Sequence, residues 1–185
     1  KARYEVPYGM RSRMEQVLGV IGGSGLYEVE GLTDVEDKVV DTPYGTPSSP
    51  LRVGSLGGCR LVFLARHGRD HTLLPSEVPY RANLYALKSL GVQWVISMSA
   101  VGSLREDLEP GDFVVVDQYL DRTKGRHDTF FGGGCVAHVS FGQPVCPVLS
   151  AMAADASAAH GPTHRAGTYV CMEGPAFSTL AESEF

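Results

Sequence analysis

Three short apolar runs in this chain each end in a loop of glycine, arginine, histidine or serine, and that repeated arrangement limits the fold more than any other feature. Residues 17–21 run into GGSGL with Gly22, Gly23 and Gly25, residues 61–64 run into ARHGRDH, and residues 92–98 run into SAVGSL. Continuous rather than alternating apolar runs mark strands covered on both faces, as in a largely parallel sheet. Residues 113–116 and 169–172 read as two further strands. Between them, residues 81–89 read as a helix, with Leu84, Leu87 and Leu90 along one side. The alanine-rich residues 151–160 read as another, ended by Gly161 and Pro162. Strands alternating with helical stretches predict an α/β fold with helices on the faces of the sheet.

Composition narrows the function classes. A chain of 185 residues that is 43% hydrophobic can bury one α/β core, which predicts a single domain over residues 16–185. Residues 1–15, with Lys1, Arg3, Arg11 and Arg13 and no clean period, read as a loose N-terminal extension. Sixteen basic against 21 acidic residues give a net charge of −5, with no basic stripe interleaved with aromatics, which argues against a nucleic-acid surface. An anionic ligand must then be met by local cations and backbone amides. No apolar run approaches the roughly 20 residues that span a bilayer, and no apolar signal-peptide core is present, so a cytoplasmic protein off the membrane is expected. Cys59, Cys135, Cys146 and Cys171 form no CxxC pair, so neither a zinc site nor a thioredoxin motif is indicated and buried free thiols are expected.

The chemistry concentrates at the strand ends, because ligands of open α/β sheets sit where strands end and helices begin. The GGSGL turn offers backbone amides and the Ser24 hydroxyl to an anion, although a tight turn needing positive φ gives the same sequence. Arg66 presents a planar fork of donors matched to phosphate and His67 stands beside it; a salt bridge for the one and a satisfied surface histidine for the other are the plain readings. His67 and His71, four residues apart, lack a third metal ligand and are interrupted by Gly68. Ser99, Ala100 and Gly102 let a ligand approach the backbone closely. Farther along, YVCMEGPAFSTLAE combines a strand, an acid, a Gly-Pro turn and a helix start, so Glu173, Phe177 and Ser178 are expected to face a pocket. Glu182 reads as an early-helix acid favoured by the macrodipole.

The segments GVIGGSGLYE, DTPYGTPSSPL, FLARHGRDH, SAVGSLREDLEPGD, DQYLDRT and YVCMEGPAFSTLAES, in this order, resemble the 5′-methylthioadenosine phosphorylases, of the trimeric branch of the purine nucleoside phosphorylases. The resemblance runs from Val17 to Phe185. It implies a three-layer α/β/α fold with a central mixed, largely parallel twisted sheet, lacking the family's C-terminal elements. It also implies phosphorolysis, in methionine and purine salvage, of the N-glycosidic bond of 5′-methylthioadenosine, giving adenine and 5-methylthioribose 1-phosphate. Phosphate is then a co-substrate, and no metal or organic cofactor is expected. By the same resemblance Ser24, Arg66, His67, Ser99 and Ala100 hold phosphate, Phe177 stacks on the purine and Ser178 lines the base pocket. Gly102 stays with the strand-end loop, Glu173 takes a ribose-side or structural role, and His71 sits near the 5′ end. His138, in CVAHVSF, resembles the histidine that a neighbouring subunit supplies to that end, which implies a homotrimer with shared sites; otherwise it is a strand histidine.

Two alternatives stay open on sequence grounds. A phosphorylase of 6-oxopurine nucleosides carries a glutamate where Ser178 stands, since a carboxylate accepts the N1 hydrogen that adenine lacks, whereas a serine hydroxyl can donate to N1. The resemblance also places the purine-facing aspartates beyond Phe185, so that no catalytic acid is assigned and an inactive fragment is expected if 185 residues are the whole polypeptide.

Overall fold

The computed structural model describes residues 16–23, 25 and 29–184. The Cα packing divides these into two compact units, one formed by residues up to Leu73 with Val78–Ser99, the other by Leu74–Glu77 with residues from Ala100 onward. The sequence reading counts a single domain. The proposed N-terminal extension, residues 1–15, lies outside the described residues.

The first unit is built on a mixed five-stranded sheet. In chain order its strands are β1 (Val17–Gly22), β2 (Thr33–Lys38), β3 (Leu51–Leu56), β4 (Cys59–Ala65) and β5 (Trp94–Ser97), arranged β2-β3-β4-β1-β5. The pairs β2–β3 and β3–β4 are antiparallel, while β1 runs parallel to both β4 and β5. Strand β1 is therefore the axis of the parallel part, and its apolar run is covered as the sequence implies. Leu51, Val53, Val62 and Leu64 bury against helix α1 (Tyr80–Ser89) through Ala86 and Leu87. Full burial of an aliphatic side chain contributes about 1.5–3 kcal/mol, so these contacts hold the helix to the sheet.

Helix α1 differs from the sequence reading in its buried face. Ala82, Asn83, Ala86 and Leu87 are buried, with Leu90 packed beside them, whereas Leu84 is exposed. Positions 83, 86, 87 and 90 follow the i, i+3, i+4, i+7 spacing, and Leu84 stands about 100° round from Asn83. The buried Asn83 is satisfied: its Oδ1 accepts from the Ser48 N–H at 2.8 Å and its Nδ2 donates to Ser48 Oγ at 2.8 Å. The DTPYGTPSSPL motif thus includes a packing element, with Ser48 fastened to the helix.

The helix ends in a Schellman turn that delivers β5 to the sheet. Gly91 at φ +85 donates to Lys88 O at 3.0 Å, and Val92 N–H donates to Leu87 O at 3.2 Å. Val92 and Leu87 share the same core cluster. A Cβ on Gly19 of β1 would stand 2.9 Å from Val92 Cγ1, so a glycine is what lets this turn approach the strand so closely. Strand β5 is shorter than the expected run and lies at the sheet edge, paired on one side only, which leaves Trp94 and Val95 partly exposed.

The second unit contains two two-stranded parallel sheets, β6 (Phe113–Val114) with β8 (Thr163–His164) and β7 (Gln118–Arg122) with β9 (Thr168–Met172). Helix α2 (Pro147–Ala158) starts four residues before the alanine-rich stretch, because Pro147 suits the first turn. Helix α3 is Leu180–Glu184. The CVAHVSF segment is no strand: residues 136–141 are irregular and exposed. Cysteines depart from expectation as well, with all four free but Cys135 and Cys146 exposed and only Cys59 and Cys171 half-buried. Among the described residues no helix is long and apolar enough to cross a membrane.

Candidate functional site

Sheet register brings the C-terminal ends of β1, β4 and β5, from which the three loops singled out in the sequence depart, to one end of the five-stranded sheet. Gly22 at the end of β1 is paired with Ala65 at the end of β4, and Ile21 is paired with Ser97 at the end of β5. The ladders continue past the strands, with Arg66 N–H donating to Gly22 O at 3.0 Å and Met98 N–H donating to Ile21 O at 2.8 Å. Since neighbouring strands lie about 4.8 Å apart, the turn after β1, Arg66 with His67, and residues 98–99 leave the sheet side by side. Ser24 itself lies outside the described residues. Ser99 closes the first unit and is exposed, and Ala100 and Gly102, also exposed, belong to the second.

The Arg66–His67 pair has a defined internal arrangement. Arg66 Nε donates to His67 Nε2 at 3.1 Å, and His67 Nδ1 lies 2.9 Å from Leu73 O. An arginine never gives up its proton, so Nε2 is the accepting atom and Nδ1–H is the donor to Leu73. The loop closes on itself through Leu73 N–H to His67 O at 3.1 Å, with Gly68 buried at φ +81 in the turn. Half-buried Arg66 makes no ion pair among the described residues. A charged fork of donors at the end of a buried strand, with no carboxylate paired to it among the described residues, suits an anion. His71 stacks on His67 with ring centroids 4.7 Å apart, itself exposed at φ +53. Among the described residues no cluster of His, Cys, Asp or Glu could hold a metal ion.

Asp37 braces this loop from β2. Its carboxylate takes Arg52 Nε at 3.0 Å and Arg69 Nη2 at 2.6 Å, and the Arg52 and Arg69 hydrogen bonds hold its pKa down to about 2. A shallow depression lined by Asp34, Glu36, Val53, Gly54, Ser55 and Arg60 lies at the other end of β4 and is unrelated to the strand-end loops.

In the second unit the segment from Glu173 to Ser178 follows β9. Phe177 is 97% exposed, as a ring waiting for a flat partner would be. Glu173, expected on the substrate side, has its carboxylate engaged by the protein: Lys124 N–H and Gly125 N–H donate to Oε2, the latter at 3.0 Å, and Arg126 Nε donates to Oε1 at 2.9 Å. Those amides first and Arg126 after them lower its pKa to about 2. Of the ribose-side and structural roles expected for Glu173, these contacts favour the structural one. Ser178 Oγ lies 2.9 Å from Ser183 Oγ, and Ser183 Oγ lies 3.0 Å from Thr179 O. Either hydroxyl can be the donor between the two serines, and the sense of Ser178 turns on whether Ser183 gives its proton to Thr179 O or to Ser178. Glu182 forms a capping box with Thr179, accepting from Thr179 N–H at 2.9 Å while its own N–H donates to Thr179 Oγ1 at 3.2 Å. His138 is exposed in the irregular 136–141 stretch.

Sequence reasoning missed Arg126, whose partner lies 47 residues away, and Ser183; the T-x-x-E spacing of Thr179 and Glu182 was a legible signal for the cap.

The sequence profile of the phosphorylase superfamily matches residues 17–185. The chain belongs to the phosphorylase superfamily. It is 61% identical over 172 residues to an S-methyl-5′-thioadenosine phosphorylase of Geobacter sulfurreducens, covering 92% of this chain and 60% of the relative. It is 58% identical over 174 residues to the protein of that name from Thermosynechococcus vestitus, again over 92% of this chain and 60% of the relative. Among solved structures, a methylthioadenosine phosphorylase from an antarctic soil metagenomic library superimposes with a TM-score of 0.85 at 50% identity, over 92% of this chain and 61% of that one. A methylthioadenosine phosphorylase from Schistosoma mansoni in complex with adenine superimposes with a TM-score of 0.82 at 39% identity, over 91% and 69%. The chain thus spans about 60% of the length of the curated relatives it matches. The α/β class and largely parallel pairing expected from sequence agree with this family and with the strands observed.

Proposed function

We propose that this chain carries the phosphate-binding and part of the purine-binding machinery of an enzyme that phosphorolyses 5′-methylthioadenosine. The observation that carries this reading is the register of β4, β1 and β5, which sets Arg66, His67 and the loop leading to Ser99 at one sheet edge. The proteins it resembles, named S-methyl-5′-thioadenosine phosphorylases, supply the substrate. A phosphate oxygen attacks the anomeric carbon as the C1′–N9 bond breaks. The bonding electrons leave with the purine, which takes up a proton, and adenine and 5-methylthioribose 1-phosphate result.

A sugar that becomes cationic in the transition state is stabilised by an anion held against it, so the cradle acts electrostatically as well as by supplying the nucleophile. Arg66 supplies charge-assisted donors. His67, with Nε2 accepting from Arg66 Nε and Nδ1–H held by Leu73 O, serves phosphate by fixing the direction of the guanidinium fork. By the resemblance Ser24, Ser99 and Ala100 also serve phosphate, and Gly102 serves the substrate. Phe177 stacks on the base, and Ser178 lines the base pocket. His71 and a neighbouring subunit's His138 serve the 5′ end, in a cytoplasmic homotrimer that needs no metal or organic cofactor.

The test is phosphorolysis of methylthioadenosine, adenosine, inosine and methylthioinosine side by side in the intact protein that carries this chain. Phosphate-dependent release of adenine from methylthioadenosine in preference to the 6-oxopurine nucleosides is expected. Turnover of inosine or methylthioinosine alone, or release without phosphate, overturns the reading.

A further inference from the structure

We propose that Arg126 is a positioning residue for the base loop, acting with Arg122 to fasten the end of β7 to both ends of the segment that presents Phe177 and Ser178. The inference rests on the reading of those two residues as the base contacts. Arg126 Nη2 donates to Glu173 O at 2.9 Å and lies 3.5 Å from Met172 O, while its Nε holds Glu173 Oε1 at 2.9 Å. The reciprocal side is equally engaged, since the Lys124 and Gly125 amides close on Glu173 Oε2. Side-chain exposures of 13% for Arg126 and 25% for Glu173 make this the most protected carboxylate–guanidinium pair among the described residues. At the far end, Thr179 and Glu182 cap α3 reciprocally and Arg122 Nη2 lies 3.7 Å from Glu182 Oε1.

Residues 174–178 are therefore fastened at their start by Arg126, in the loop after β7, and flanked at their end by Arg122 of β7, while Phe177 between them is left open. Tying the ends removes conformational freedom that would otherwise have to be lost when a nucleoside binds. The arrangement also explains why an acid stands directly before the Gly-Pro turn: Glu173 faces the latch, and it stays ionised because backbone amides and a guanidinium surround it. Arg66 and its loop belong to the other unit. The effect should thus fall on nucleoside binding and spare phosphate.

Arg126→Ala, Arg126→Lys and Glu173→Gln test this in the intact protein, by kinetics and by amide hydrogen exchange. Arg126→Ala should raise the KM for nucleoside about tenfold, leave the KM for phosphate within about twofold, and speed exchange of residues 173–179 about tenfold with β1 and β4 unchanged. Arg126→Lys should recover only part of the loss, because one ammonium cannot serve the carboxylate and the carbonyls together. If Arg126→Ala does not fold, Glu173→Gln should show the same split at about threefold. Equal rises in both KM values, an unmoved nucleoside KM, or unchanged exchange would overturn the proposal. Exchange needs no turnover, so if the unmodified protein released no adenine, the functional reading would fail while the latch was still judged.

Discussion

At the scale of single residues, hydroxyl and imidazole protons are what the structure adds to the sequence. Ser178 is proposed for the base pocket from its motif, but its donor or acceptor sense could not be read there, because that depends on Ser183 Oγ and on Thr179 O. The same holds for His67: its place after a buried strand is a sequence fact, whereas the assignment of its proton to Nδ1 follows from Arg66 on one side and Leu73 O on the other. A hydroxyl of fixed sense discriminates between purines and a free rotor does not. Ser183→Ala should accordingly lower the ratio of kcat/KM for methylthioadenosine over methylthioinosine by about fivefold, in line with the net worth of one hydrogen bond. An unchanged ratio in steady-state assays would show that Ser183 does not set the sense of Ser178.

Among elements, legibility followed burial. Strands β1 and β4 could be read because both their faces are covered and their sequences are continuously apolar. Strand β2, TDVEDK, is exposed along nearly its whole length at the sheet edge, and β7, QYLDR, is exposed throughout, so neither carries an apolar period. The two-residue strands β6 and β8 are too short for any period to show. The helix face was misread at Leu84 because a leucine can stand in solvent while an asparagine, once its hydrogen bonds are met, can be buried. What fixes β5 beside β1 is the Schellman turn at Gly91 pressed against Gly19. Gly19→Ala should therefore destabilise the protein by about 1–3 kcal/mol through overpacking against the stiff, buried Val92, as measured by denaturant unfolding. A change within about 0.5 kcal/mol would mean that the turn yields freely.

For the molecule as a whole, charge and chemistry meet at Asp37 and at the strand ends. The folded-state pKa of Asp37, about 2, lies below the ordinary unfolded value, so its contribution is fully present above the unfolded pKa and is lost as pH falls toward 2. Because the group is largely exposed, the contribution is at most about 1 kcal/mol. Asp37→Asn should remove that much at pH 7 and flatten the loss of stability between about pH 4 and pH 2; an unaltered acid profile would show that the Arg52 and Arg69 contacts contribute nothing. The strand ends proposed to hold the anion were legible in part. Gly22, Arg66 and Ser99 announced themselves at the ends of apolar runs, but only the pairing of Gly22 with Ala65 and of Ile21 with Ser97 puts those ends side by side. Titrating inorganic phosphate calorimetrically into the intact protein, unmodified and with Arg66→Ala, tests that account most directly. Saturable binding at one site per chain, weakened about tenfold to a hundredfold by the substitution, is predicted from the worth of a charged hydrogen bond; phosphate binding equally well without the Arg66 side chain, or not at all to the unmodified protein, would contradict it.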